Sequence, residues 1–268
     1  MDILGYFSAL IMGLSLGLIG GGGSILTVPI LVYLFSQNPL VATTGSLFVV
    51  GSTALVGAIT NALKRMVDFK TGLLFALPSF AGVFVARRFI LPNLPDVLYV
   101  GHGIVLTKAL LVMGAFAILM VLASRAMIRS GSSTASLNPH DPAAKASLLV
   151  IIGSGFLVGI TTGFVGAGGG FLIIPALVIL LKLPMKMAVG TSLAIIAANS
   201  FFGFAISANT QPLDWRVLSI ITTIGAVGIF VGQALAASIN EKSLKKGFGY
   251  FVLLVGSLVL VDQIMKLY

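Results

Sequence analysis

Two runs of glycine lie inside long apolar segments, and the chemistry they offer is that of exposed backbone. The first run is Gly20–Gly23, and the second is Gly166–Gly170, interrupted only by Ala167. Glycine allows a ligand to approach the main chain closely, and it destabilises a helix. A helix that is broken at such a run presents free N–H groups, which bind small anions without the help of a lysine. The two runs are therefore predicted to line an anion site.

Hydroxyl and amide side chains near both runs are suitable donors to an oxyanion. The predicted substrate-binding residues are Gly20, Gly21, Gly22, Gly23, Ser24, Thr44, Ser46, Gly166, Gly168, Gly169, Gly170, Thr191, Ser192 and Asn199. A hydroxyl in a membrane helix can instead bond back to its own helix, so both roles stay open for these side chains.

Both runs belong to a longer pattern that occurs twice. Residues 13–88 align without a gap with residues 159–234, and 19 of the 76 positions are identical. This indicates an internal duplication, which is a common origin of membrane transporters. Glycines at Gly-x-x-x-Gly spacing are predicted to pack helices together. These glycines are Gly13, Gly17, Gly159, Gly163, Gly228 and Gly232.

The composition is that of a polytopic membrane protein. Hydrophobic residues make up 58% of the chain and charged residues only 9%, against roughly 25% charged residues in soluble domains. The net charge of +9 comes from lysines and arginines in short loops, which favours a topological role over nucleic-acid binding. There is no cysteine, and neither of the two histidines is mid-span. No metal or cofactor is expected.

Eight apolar stretches are long enough to enter the membrane, and two of them are too long for one simple crossing. They are 3–36, 41–63, 71–90, 97–124, 147–181, 187–208, 215–239 and 247–265. Segments 3–36 and 147–181 each contain a glycine run. Each is either one long tilted helix or a helix that is broken at the glycines and folds back.

The distribution of positive charge favours the broken form. If every stretch crosses once, the two sides carry eight and seven lysines and arginines, with Lys108 left out because it lies within an apolar stretch. If the two long segments return to the side they entered, the counts become eleven and four, in line with the positive-inside rule. The predicted fold is an all-α polytopic membrane protein with two inverted repeats, each a broken first segment plus three transmembrane helices.

The predicted organisation is a first repeat at 1–128, a polar linker at 129–146 and a second repeat at 147–268. The charge asymmetry places this linker in the cytoplasm and both termini outside, in the inner (plasma) membrane. Asp68 and Asp214 precede apolar runs and are predicted helix N-caps. None of the seven carboxylates is central in a span.

The doubled glycine motif, with its following proline and Ala-x-x-x-Ser-Leu element, resembles the sulfite exporter TauE/SafE family. The second element, Ala188–Leu193, is closer to the family pattern than the first, Ala42–Leu47, which departs at Thr44 and Gly45. The resemblance covers nearly the whole chain except the linker. It implies a membrane transporter of small anions such as sulfite, sulfonates or other organosulfur compounds.

The functional prediction is an exporter of a small anion, either sulfite, a sulfonate such as sulfoacetate or a related organosulfur anion, bound near the bilayer centre between the two glycine-rich broken helices. An anion channel with a backbone-lined path remains the alternative. An intramembrane enzyme is disfavoured because no mid-span His, Cys or acid supplies a nucleophile, base or metal site. The predicted partners are the small anion and the lipid bilayer, and the sequence does not define an oligomeric state.

Overall fold

The computed structural model describes residues 2–101, 104–130, 148–166, 168–181, 183–210, 212–236 and 241–266. The first half contains α1 (Asp2–Ile19), α2 (Ser24–Pro29), α3 (Pro39–Leu63), α4 (Phe69–Phe84), α5 (Leu91–Asn93) and α6 (Lys108–Ser130). The second half contains α7 (Leu148–Val165), α8 (Gly170–Pro175), α9 (Met185–Ser207), α10 (Trp215–Ala236) and α11 (Glu241–Met265). Wide π-helical turns continue α2, α4 and α8 at Ile30–Leu34, Val85–Ile90 and Ala176–Leu180, and a 3-10 turn, Ala208–Thr210, follows α9.

One short hairpin departs from the all-α prediction. Strands β1 (Val97–Gly101) and β2 (Ile104–Thr107) pair antiparallel. They occupy the start of the apolar stretch predicted at 97–124, so the helix there begins only at Lys108. The stretch is rich in β-branched residues at this point, which fit a pleated strand better than a helix.

The helices are those of a membrane protein. Among the described residues, four helices are long and apolar enough to cross a bilayer: Pro39–Leu63, Phe69–Asn93, Lys186–Ser207 and Trp215–Ala236. Shorter apolar helices accompany them, and large hydrophobic side chains such as Leu73, Phe230 and Leu254 face outwards. An apolar exterior over a packed helical interior is the arrangement that lipid requires.

Both long segments are divided into two helical limbs at their glycines. The first limb, α1, ends at Ile19, and the chain then reverses, so that the ring of Phe35 lies 5.4 Å from that of Tyr6. In the second segment, α7 ends at Val165 and α8 begins at Gly170. Gly20 and Gly166 have φ angles of +86° and +77°, a left-handed conformation that glycine adopts without strain.

The first limb of each half packs against a helix of the other half. Helix α1 lies on α10, and α7 lies on α4, with glycines at both contacts. The closest backbone approaches are Gly13–Gly225, Gly17–Ile229, Gly159–Ser79 and Gly163–Val83. A Cβ atom at any of these four glycines would meet the backbone of the facing helix, and the same is true of Gly228 and Gly232. The predicted packing role of these glycines is confirmed.

Helices α3 and α9 form the buried centre and run antiparallel. Their contacts proceed in opposite directions along the two chains, through Gly57–Leu193, Gly51–Ser200 and Gly203–Leu47. Most of α3 is buried, including hydroxyl residues such as Thr43, Ser46 and Thr53. The central pair therefore places polar side chains inside the protein, away from lipid.

The two predicted aspartate caps are confirmed. A carboxylate oxygen of Asp68 accepts from the Thr71 backbone N–H at 3.1 Å, and one of Asp214 accepts from the Val217 N–H at 3.1 Å. Hydrogen bonds from the Thr71 side chain and backbone lower the pKa of Asp68. Each cap satisfies N–H groups that a helix start leaves free.

Candidate functional site

The two glycine breaks meet inside the protein. A Cβ atom on Gly21 would overlap the Gly170 carbonyl group, and one on Gly170 would lie 2.6 Å from the Gly21 Cα. The two main chains cross in contact here, and no side chain fits between them. Only glycine allows this approach.

Each break also contacts the central helix of the opposite half. Ser192 of α9 has its hydroxyl 3.0 Å from the position that a Gly20 Cβ would occupy. On the other side, the Ser46 hydroxyl of α3 donates to the Gly166 carbonyl and, at 3.0 Å, to the Thr43 carbonyl. Ser46 and Ser192 are equivalent in the repeat alignment. Both predicted serines therefore lie at a glycine break.

Several buried polar atoms of the described residues have no hydrogen-bond partner, and one of them, on Ser200, lies at the second break. These atoms include Ser200 Oγ, Asn199 Oδ1 and Thr27 Oγ1, all on side chains with no exposed surface. The Ser200 hydroxyl lies 3.0 Å from the position of a Gly168 Cβ. Ser200 and Thr27 are absent from the predicted site residues. Burying a polar group unpaired costs about 1–3 kcal/mol, which indicates a ligand or water role.

Asn199 is the amide of this region. Its Nδ2 donates to the Ser79 hydroxyl of α4 at 2.6 Å, while its Oδ1 remains without a partner. The equivalent residue in the first half is Thr53, whose hydroxyl bonds back to the Val49 carbonyl at 2.8 Å. The two halves therefore differ at this position: one side chain is turned to its own helix, and the other is partly unsatisfied.

Several other predicted residues have hydrogen-bonding or packing partners within the protein. The Ser24 hydroxyl donates to the Gly21 carbonyl at 2.9 Å. The Thr191 hydroxyl accepts from the Asp68 backbone N–H at 2.9 Å and so connects α9 to the start of α4. Gly23 packs against Met12 of its own first limb. These contacts stabilise the turns, and they place Thr191 on the α4 side of α9.

Two of the remaining predicted glycines are buried at the breaks. Gly169 has a φ of +67° and lies against Thr162 of α7, and Gly22 is buried in the first break. Thr44, the last predicted hydroxyl, accepts a hydrogen bond at 3.1 Å from Arg87. The predicted set therefore divides into residues at the crossing and residues around it.

Arg87 is a further residue that the sequence did not predict at the site, because it was counted among the loop charges. Only 6% of its surface is exposed, whereas its neighbour Arg88 is exposed. Its guanidinium donates to Thr44 Oγ1 and to the Thr43 carbonyl, both at 3.1 Å, and to Ser207 Oγ at 3.4 Å. One signal was available: Arg87 aligns with the uncharged Gln233, inside the duplicated region.

Acidic and metal-binding groups do not gather at the site. Among the described residues, no group of three or more His, Cys, Asp or Glu is placed to hold a metal ion. Asp68 and Asp214 cap helices, and Asp262 pairs with Lys266 at 2.7 Å. Residues 131–146 of the predicted linker lie outside the described residues.

Comparison with known proteins supports a membrane transporter. The chain is 29% identical to a "Probable membrane transporter protein" of Xylella fastidiosa (strain Temecula1) over 253 residues, 93% of this chain and 91% of that protein. It is 30% identical over 248 residues to "Probable membrane transporter protein YunE" of Bacillus subtilis, covering 88% of each chain. The family model described as "Sulfite exporter TauE/SafE" matches residues 6–259, and the chain belongs to this family of membrane transporters.

Proposed function

We propose that this protein exports a small organosulfur oxyanion, such as sulfite or a sulfonate like sulfoacetate. The anion binds where the two glycine breaks cross between α3 and α9. The substrate-binding groups are backbone at Gly20–Gly23 and Gly166–Gly170 together with hydroxyl and amide side chains of α3 and α9. The protein is a transporter without catalytic residues or a bound cofactor.

The observation that carries this proposal is the Ser200 hydroxyl. It is fully buried and has no hydrogen-bond partner, and it lies against Gly168 at the second break. An oxyanion oxygen at this position would accept a hydrogen bond from the Ser200 hydroxyl. This bond would remove the free-energy cost of burying the hydroxyl without a partner. The crossing main chains at Gly21 and Gly170 bring backbone groups to the same region.

The proposed arrangement is an inverted repeat. The antiparallel contacts of α3 with α9 support it, and so do the matching contacts of α1 with α10 and α7 with α4. In this arrangement the linker 129–146 is cytoplasmic and both termini are outside the inner membrane. Labels at residue 136 and at the C-terminus should then react from opposite faces of intact cells, and labelling from one face would exclude the arrangement.

Export follows from the sign of the membrane potential. A potential of about 100 mV contributes roughly 2.3 kcal/mol per charge and drives anions out of a negative-inside cell. The alternative is an anion channel, because a backbone-lined path serves either mechanism. A carrier predicts flux that saturates with substrate concentration, whereas a channel predicts flux that continues to rise.

The test is anion flux in proteoliposomes with sulfite, sulfoacetate, taurine, sulfate and thiosulfate. Ser200→Ala should weaken the apparent affinity about tenfold, since it removes one donor in a dry site. The matched control is Ser124→Ala, because Ser124 is equally buried but donates to the Val121 carbonyl of its own helix at 2.8 Å. Equal affinity in wild type and Ser200→Ala would reject the proposed position of the anion.

A further inference from the structure

We infer that Arg87 forms a second anion-binding subsite, beside the Gly166 break and about 10 Å along α3 from the central crossing. The inference deepens the proposed function and rests on it. A substrate that leaves the crossing would next meet a fixed positive charge. The anion class that fits is an oxyanion with two coplanar acceptor oxygens, such as a sulfonate or a carboxylate.

The first argument is the charge of Arg87. A guanidinium stays protonated in proteins, so its burial places a full positive charge inside the protein. Its hydrogen-bond acceptors are two hydroxyls and one carbonyl, which pair with its N–H groups but carry no negative charge. Among the described residues, no carboxylate lies within salt-bridge distance of it. A buried cation without a counter-ion is strongly unfavourable, and a bound anion supplies what is missing.

The second argument is the pattern of unused donors. A guanidinium has five N–H donors. Two of the three hydrogen bonds come from Nη1 and one from Nη2, and the buried Nε has no partner. Nε and Nη2 form the side edge of the guanidinium plane. That edge binds planar pairs of oxygens through two parallel hydrogen bonds.

The third argument is position. The Thr43 carbonyl accepts from Arg87, and the same residue lies directly against Gly166, so the guanidinium is one residue away from the glycine break. Thr43 precedes Val50 by seven residues in α3, and Val50 contacts Gly168 at the crossing. Seven helical residues span about 10 Å. In the proposed topology this subsite lies in the outer half of the membrane.

The experiment compares Arg87→Gln, Arg87→Lys and Arg88→Gln with the wild type in chloride-free buffer. Sulfoacetate and sulfite binding is read from the shift in melting temperature, and flux is measured separately in proteoliposomes. We expect Arg87→Gln to weaken binding by about 10- to 100-fold, because it removes a charge-assisted hydrogen bond. Arg87→Lys should retain the charge but lose the paired geometry, and Arg88→Gln should match the wild type because that side chain is exposed.

Melting without added anion separates ligand binding from a structural role. If Arg87 serves the ligand, Arg87→Gln melts at the wild-type temperature or higher, because an uncompensated charge has been removed. Lower melting of Arg87→Gln with anion binding unchanged would overturn the inference. So would a wild type whose melting no anion in the panel shifts. Wild-type binding without any flux would instead reject the transport proposal and leave the subsite standing.

Discussion

Arg87 and Gln233 occupy equivalent positions in the two halves, but of the two only Arg87 has a buried polar atom without a hydrogen-bond partner. Gln233 accepts from the Thr60 hydroxyl at 2.6 Å and donates to the Gly57 carbonyl at 3.1 Å. Both atoms of its amide group therefore have partners. Arg87 makes three hydrogen bonds to neutral acceptors and still has a buried, unpaired Nε.

This difference between Arg87 and Gln233 shows that the two halves of a duplicated scaffold need not share the same chemistry. The helix contacts of the two halves match, residue for residue, at Gly13–Gly225 and Gly159–Ser79. The side chains beside the two breaks do not match, because one half presents a cation and the other an amide. Packing sets the symmetric frame, and the proposed function predicts that a few substituted positions give the two faces of the frame different affinities for an anion.

The greatest loss of stability and transport is expected from a substitution where the two main chains cross. Gly21→Ala introduces a Cβ that would overlap the Gly170 carbonyl, and neither main chain has room to yield. We expect a loss of stability of about 3 kcal/mol and no measurable flux. The control is Gly153→Ala, since a Cβ at Gly153 meets no atom within 4 Å. Gel filtration in detergent and flux measurement check both variants, and normal behaviour of Gly21→Ala would mean that the crossing is not tight.

A second substitution makes the two halves alike at the central helices. Asn199→Thr copies the residue found at Thr53 in the other half. The Ser79 hydroxyl loses the donor that lies 2.6 Å away, and the region loses one amide. We expect anion affinity to fall by about 1–3 kcal/mol while expression holds. An isothermal titration with sulfoacetate measures the change, and unchanged affinity would show that the asymmetry at this position has no role in binding.

A third substitution tests whether Gln233 is structural where Arg87 is not. Gln233→Leu removes the partners of Thr60 and Gly57 and should lower the stability by about 1–2 kcal/mol. Anion affinity should stay at the wild-type value, which is the reverse of the result expected for Arg87→Gln. Thermal melting with and without anion makes the comparison, and weaker anion binding in Gln233→Leu would remove the distinction between the two positions.

The smallest expected effect concerns the equivalent caps, Asp68 and Asp214. Asp68→Ala should cost about 1 kcal/mol through the lost bonds to Thr71. Because the folded pKa of Asp68 is lowered, its contribution is present above the ordinary value of 3.8 and is lost as the pH falls further. Melting curves between pH 3 and pH 7 test this. An equal difference in melting temperature between wild type and Asp68→Ala at every pH would contradict this pH dependence.

The glycine breaks could be predicted from the sequence because their cause is local. Four glycines within Gly20–Gly23 cannot sustain a helix, and the repeat alignment shows the same problem at Gly166. The N-caps at Asp68 and Asp214 were predictable for the same reason. The start of α6 was not, since an apolar stretch rich in β-branched residues fits either a helix or the hairpin that the protein forms at Val97–Thr107.

The candidate site was harder to predict because burial depends on which helix face meets a partner. Arg87 and Arg88 are adjacent, and successive residues of a helix point in directions roughly 100° apart. One therefore enters the interior and the other faces outwards. Ser200 has the same difficulty, because a buried hydroxyl normally bonds back to its own helix, and only its contact with Gly168 distinguishes it.

The π-helical turns at Ile30–Leu34 and Ala176–Leu180 are positions at which the helical register of the two returning limbs differs from that of an α-helix. Each follows a proline, Pro29 or Pro175, which has no N–H to donate to the preceding turn. In a π turn each N–H reaches one residue further back than in an α-helix. Moving such a turn by one position shifts the neighbouring residues by about 1.5 Å and rotates them by about 100°. A change of register at such a turn would exchange backbone hydrogen bonds one at a time and would not require the whole limb to unfold.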